Sequence, residues 1–174
     1  MPAQAESAGK SPDRRQSGDI PVLILNWNGV GDTIECIDAL LQTAGVGFRV
    51  ILVDNGSEGD DFERLSRRYA SDRRVEGRRN EQNLGFARGV NAVLRELLAE
   101  SESRPEFVAL LNNDAIPDPG WLAALVSVAG STGAGAVASK MIRHDDPDKL
   151  DNAGHIFLNT GEILPRGAGE PARD

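Results

Sequence analysis

The sequence predicts an α/β fold of three layers, α/β/α, built on a mostly parallel sheet. Three apolar runs, Ile20–Trp27, Phe48–Val53 and Phe107–Leu111, carry few polar interruptions, so each reads as a strand buried on both faces. Between them lie segments whose apolar residues recur at helical spacing, and a cluster of turn formers follows each run. Aromatic residues make up only 5% of the chain, so Val, Leu, Ile and Ala must supply the core.

Residues 1–19 hold Ser, Gly, Pro, Gln and charge without an apolar run, and they read as a disordered tail ahead of a single domain over 20–174. Ile20–Trp27 runs into Asn26-Trp27-Asn28-Gly29. Asp32 or Thr33 is then placed to cap a helix carrying Ile34, Ile37, Leu40 and Leu41, which Gly45 and Gly47 end. Phe48–Val53 empties into Asp54-Asn55-Gly56-Ser57, and a polar helix over about 60–70 and a weak strand over 74–79 follow. The third helix shows one apolar face of Val90, Val93, Leu94, Leu97 and Leu98. Phe107–Leu111 ends in Asn112-Asn113-Asp114. Pro119 suits the first turn of a helix reaching about Ala129, Gly133–Ser139 reads as a further strand, and a hairpin is expected around Ile156–Leu164.

Composition narrows the function. Nineteen basic residues against 27 acidic give a net charge of -8, which opposes binding of nucleic acid. The arginines at 67, 68, 73, 74, 78 and 79 are interleaved with Glu63, Asp72, Glu76 and Glu81, the pattern of a solvated surface. Cys36 is the only cysteine, which excludes an internal disulfide and fits a reducing compartment; its place at the edge of the apolar stripe marks it as partly buried filler instead of a nucleophile. With neither a membrane-spanning run nor a signal segment, the expected location is the cytoplasm, including the inner face of the membrane.

In an open α/β sheet, ligands sit beyond the carboxyl ends of the strands. That rule selects Asn26–Gly29, Asp54–Ser57 and Asn112–Asp114. Asp54 leaves a buried strand into a tight turn, which holds its carboxylate in the cleft as an acceptor; the alternative is that it caps its own turn. Trp27 offers a stacking surface or is a buried structural residue. Gly85 and Gly89 flank the start of the third helix, where backbone can approach a ligand or simply pack.

These segments resemble glycosyltransferase family 2, in particular its bacterial rhamnosyltransferase-like branch. The resemblance is carried by Val22–Gly29, Ile51–Ser57, Asn83–Asn91 and Leu110–Leu122, in the family's order and rough spacing, and it spans about residues 20–170. It implies a GT-A type nucleotide-sugar-binding domain and inverting, metal-assisted transfer from a UDP- or dTDP-sugar to a saccharide or lipid-linked acceptor. By resemblance, Asp54 accepts the ring N–H of a uracil or thymine, with Asn26, Trp27 and Asn28 lining the same base pocket. Asn83 and Gly85 approach the donor, Asn113 touches the ribose, and Asp114 is the metal ligand. The cofactor implied is a divalent cation, Mg²⁺ or Mn²⁺, which takes oxygen ligands and offsets charge on the leaving diphosphate. Asn at 112 and 113 departs from the family's acidic motif and leaves one charged ligand. Arg88 stays open between a diphosphate contact and solvent.

The family's catalytic base is an Asp in a later acidic motif that does not occur before Asp174, so the acceptor half is expected to be truncated and no catalytic residue is assigned. His144 and His155 lack metal-pair spacing and are read as non-catalytic. The rival reading is a nucleotide-binding module without turnover. A dehydrogenase fingerprint fails at Ile34, where a Gly or Ala is needed, and a sugar nucleotidyltransferase lacks its Gly-rich loop and lysine. Peripheral membrane association and homo-oligomer formation are both compatible with the sequence.

Overall fold

The computed structural model describes residues 19–99 and 104–173. The tail expected over 1–19 lies, through residue 18, outside the described residues. The chain divides into two compact units, one comprising the chain through Asp38 with Val46–Ile116, the other Ala39–Gly45 with Pro117 onward.

The first unit contains β1 (Ile20–Asn26), β2 (Phe48–Asp54), β3 (Val75–Arg79) and β4 (Ala109–Asn112), which form a parallel sheet in the order β3-β2-β1-β4. Connecting them are α1 (Val30–Leu40), whose last two residues belong to the second unit, α2 (Asp61–Tyr69) and α3 (Phe86–Ala99). The order explains the layers. From β1 to β3 the chain steps in one direction, so right-handed crossovers place α1 and α2 on one face; from β3 it returns past β1 to β4, and α3 must cover the other.

Side chains obey this division. Leu23, Ile51 and Val53 pack with Val90, Val93 and Leu97 of α3 in one buried cluster. On the opposite pleat, a Cβ at Gly77 of β3 would meet Phe62 of α2 at 3.6 Å. The hydroxyl of Tyr69 joins α2 to α1 by donating to the Ile34 carbonyl at 3.2 Å and Asp38 at 2.9 Å. With β1 and β2 covered on both faces, both parities of Val22–Ile24 and Val50–Val53 are buried, as continuous apolar runs require.

The second unit contains α4 (Trp121–Thr132) and two hairpins, β5 (Met141–Ile142) with β6 (Leu150–Asn152) and β7 (His155–Phe157) with β8 (Ile163–Pro165). The latter is the hairpin expected around Ile156–Leu164. Among the described residues, no helix is long and apolar enough to cross a membrane.

Several boundaries differ from expectation. Neither Asp32 nor Thr33 caps α1: the helix begins at Val30, so both lie inside its first turn, and Gly29 precedes it with its carbonyl accepting the Thr33 N–H at 3.0 Å. β4 is shorter than Phe107–Leu111 because it pairs with β1 alone, opposite Val22–Leu25. Pro119 precedes α4, whose N-cap is Gly120; the Pro119 carbonyl instead accepts the Ala44 N–H at 3.0 Å. Gly133–Ser139 forms no strand, since Gly133 adopts φ +66° to end α4 and the exposed Gly and Ala residues that follow bury too little to hold a ladder. Leu98, expected on the apolar face of α3, is 50% exposed.

Candidate nucleotide-sugar site

The sheet reverses its winding between β1 and β4, and a crevice opens at such a switch point beyond the strands' carboxyl ends. Asn26 ends β1 opposite Asp54 of β2, while Leu25 lies opposite Asn112 of β4. Three of the polar clusters selected from sequence therefore stand side by side.

Asn26 lies at the base of these loops. It is fully buried, and its amide nitrogen donates to Asp54 Oδ1 at 2.9 Å, with Ser57 Oγ at 3.1 Å and Asp61 Oδ2 at 3.2 Å also in reach. Its amide oxygen accepts from Thr33 Oγ1 at 2.8 Å. Burying an amide requires partners, and these residues supply them.

Asp54 is likewise enclosed by protein partners. Its carboxylate has no exposed surface; Oδ1 takes the Asn26 amide, and Oδ2 takes the Ser57 N–H at 3.3 Å with the Arg79 guanidinium 3.6 Å away. This is the self-capped turn that the sequence left as the alternative. A buried carboxylate needs compensating donors and charge, and here both come from the protein.

Trp27 and Asn28 occupy the outer rim. Trp27 is 55% exposed, which removes the buried structural alternative. Asn28 takes φ +54°; its N–H donates to Ser57 Oγ at 2.9 Å, and its Oδ1 accepts the Glu58 N–H at 2.8 Å, tying the loops after β1 and β2 together.

Asn55, which the sequence reading passed over as a turn former, holds the next loop. Its Oδ1 accepts from Asn80 Nδ2 at 2.9 Å and from the Leu84 N–H at 3.3 Å, while its Nδ2 donates to Asn83 Oδ1 at 2.9 Å. Asn83 Oδ1 also accepts the Gly85 N–H at 2.7 Å. The recurrence of Asn at 55, 80 and 83, each beside a strand end or glycine turn, was the available signal. Gly85 is exposed at φ +75° and its carbonyl receives the first helical bond of α3 from Gly89, whereas Gly89 itself is a packing position: a Cβ there would lie 3.0 Å from Leu25 Cδ1. Arg88 is exposed.

At the end of β4 the Ala115 N–H bonds to the Asn112 carbonyl at 3.2 Å, closing a β-turn whose central residues are Asn113 and Asp114. Asn113 is half-buried and donates to Thr33 Oγ1 at 3.0 Å; Asp114 is exposed. Cys36 is fully buried, and its Sγ donates to the Asn112 carbonyl at 3.4 Å. Burial, then the negative charge of Asp114, push its thiol up to about 12, against a smaller opposing pull from the Ala115 N–H. Such a thiol is no nucleophile at neutral pH.

Among the described residues there is no group of three or more His, Cys, Asp and Glu able to hold a metal. A single exposed carboxylate fits only a cation that draws its remaining oxygen ligands from a diphosphate and water, which Mg²⁺ and Mn²⁺ accept. His144 and His155 are exposed in the second unit.

A mostly parallel sheet with helices on both faces is an α/β fold, structurally similar to that of GT-A glycosyltransferases. The signature of "Glycosyl transferase family 2" matches residues 22–171, and the chain belongs to that family. It is 29% identical over 96 residues to the bifunctional glycosyltransferase pgtA of Dictyostelium discoideum, a stretch that is 55% of this chain and 12% of that protein. The mannosyltransferase PcManGT of Pyrobaculum calidifontis, solved with GDP-Man and Mn²⁺, superposes with a TM-score of 0.61 at 22% identity, covering 78% of this chain and 39% of that one. S. aureus TarS 1-349 with UDP-GlcNAc superposes with a TM-score of 0.58 at 17% identity, covering 71% and 34% respectively. The chain thus spans well under half the length of these relatives.

Proposed function

We propose that the chain forms the donor-binding part of an inverting glycosyltransferase that moves a sugar from a UDP- or dTDP-sugar to a saccharide or lipid-linked acceptor with a divalent cation. The observation that carries this reading is the exposed Asp114 at the tip of a braced turn, set at the switch point of a family 2 sheet. The neighbours that hold UDP-GlcNAc, or GDP-Man with Mn²⁺, support the donor class.

In this reading Asp114 contributes the protein's carboxylate to the cation, which when bound neutralises charge on the departing diphosphate. Asn113, anchored through its amide nitrogen, keeps its amide oxygen for the ribose. Trp27 and Asn28 form the rim that the base meets, with the exposed indole as its stacking surface. Asp54 and Asn26 act from below, fixing those loops without touching the base. Asn83 and Gly85 place the start of α3 beside the donor, where peptide dipoles favour an anion. Inversion requires an acceptor hydroxyl to attack the anomeric carbon in line while a base removes its proton. We assign no such base to this chain.

Calorimetric titration with UDP, dTDP and GDP, with and without Mn²⁺, tests the reading. Asp114→Ala is expected to abolish the cation-dependent part of binding, a loss of at least about tenfold for a charged ligand, and to leave the thermal midpoint unchanged. Asp54→Ala should weaken binding with or without the cation and lower stability together. Unchanged affinity in Asp114→Ala would remove the assignment. Donor binding without donor hydrolysis or transfer would favour a binding module.

A further inference from the structure

The turn that presents Asp114 does not stand alone. Two residues one helical turn apart on α1 reach it: Thr33 Oγ1 accepts the Asn113 amide at 3.0 Å, and Cys36 Sγ donates to the Asn112 carbonyl at 3.4 Å. Both side chains are fully buried. Thr33 has one proton to give, and its acceptors are Asn26 Oδ1 at 2.8 Å and the Gly29 carbonyl at 2.9 Å. A continuous path therefore runs Asp54, Asn26, Thr33, Asn113, joining the ends of β2, β1 and β4 through one hydroxyl. Gly29 belongs to the same joint, since a Cβ there would lie 2.9 Å from Asn113 Nδ2.

We propose that Thr33, seconded by Cys36, is a positioning residue for the donor site: it locks the Asn112–Ala115 turn so that Asp114 meets the diphosphate and its cation in one geometry. This rests on the donor-site reading above. The physical case is that one carboxylate must serve a cation whose other ligands arrive with the substrate, so freedom in the turn directly lowers affinity. Neither Thr33 nor Cys36 touches the ligand. Their effect passes through the hydrogen bonds of Asn113 and Asn112.

Thr33→Val keeps the shape of the side chain and removes both its donor and its acceptor, while Thr33→Ser restores them. Native-state hydrogen exchange at the Ala115 amide reads the turn without any ligand. Affinity for Mn²⁺ with whichever of UDP, dTDP or GDP the wild type binds reads the site. In Thr33→Val we expect exchange at Ala115 to rise about tenfold and affinity to fall about five- to tenfold, with Thr33→Ser close to wild type in both. Cys36→Ala should move both readouts in the same direction by less, and it provides the test if Thr33→Val does not fold. A purely structural role would raise exchange equally at Ala115 and at the core amides of β1 and β2, and that result overturns the proposal. So does faster exchange with unaltered affinity. A wild-type chain that binds no nucleoside diphosphate with Mn²⁺ overturns the functional reading and the donor role of Thr33 with it, whatever the exchange rates.

Discussion

Cys36 shows how one buried side chain makes folding sensitive to pH. Its thiol rises from 9.0 to about 12 in the folded chain, chiefly through burial and then through Asp114, so the folded state keeps a proton that the unfolded state releases. The contribution to stability is therefore complete below about pH 9 and is lost as pH climbs toward about 12. Tyr69, raised by burial and by its bond to Asp38, acts in the same direction. Denaturant unfolding between pH 8 and 11 should show stability falling above pH 9, by up to ~1.4 kcal/mol per pH unit for the thiol. Cys36→Ala should flatten that slope. An unchanged slope would mean that the thiol ionises as freely in the folded chain as in the unfolded one.

At the scale of the elements, the loops at the strand ends are held by backbone shape as much as by side chains. Gly56 and Gly85 both adopt positive φ, +74° and +75°, but their surroundings differ. A Cβ on Gly56 would approach the backbone of Gln82 and Asn83 to 2.4 and 2.6 Å, whereas one on Gly85 would meet nothing within 4 Å. Gly85→Ala should therefore cost only the left-handed conformation, ~1 kcal/mol. Gly56→Ala must also push apart the loops after β2 and β3, and should cost ~3 kcal/mol or more. Urea midpoints of the two variants make the comparison. Equal losses would mean that the two loops do not press on each other.

For the molecule as a whole, charge and apolar exposure are unevenly spent. The arginines near β3 answer nearby acids: Arg68 pairs with Asp38, Arg74 with Asp72, Arg78 with Glu76 and Glu96, and Arg79 with Glu63. This is the solvated pattern anticipated for them. The β7–β8 hairpin exposes apolar side chains, Phe157 at 75% and Ile163 at 55%. Phe157→Ser should consequently shift the unfolding free energy by less than ~0.5 kcal/mol. A larger loss in a denaturation curve would show that the ring is buried in solution.

The sequence by itself determined the sheet and where its polar loops fall. Unbroken apolar runs at Ile20–Ile24 and Val50–Val53 require burial on both faces, and the polar clusters that follow mark the carboxyl ends where ligands gather. It left Trp27 open between a stacking surface and a buried residue, and only the fold exposed it. The partners of each polar side chain were not legible, since hydrogen bonds such as Asn26 to Asp54, Asn55 to Asn83 and Thr33 to Asn113 join positions 28 to 80 residues apart. Only the tertiary structure decided that Asp54 and Asn26 turn inward, that Asn55 holds a loop, and that Thr33 lies inside α1 and braces β4. Spacing along a chain fixes which face a residue takes, while the match between one buried donor and one buried acceptor exists only once the strands lie side by side.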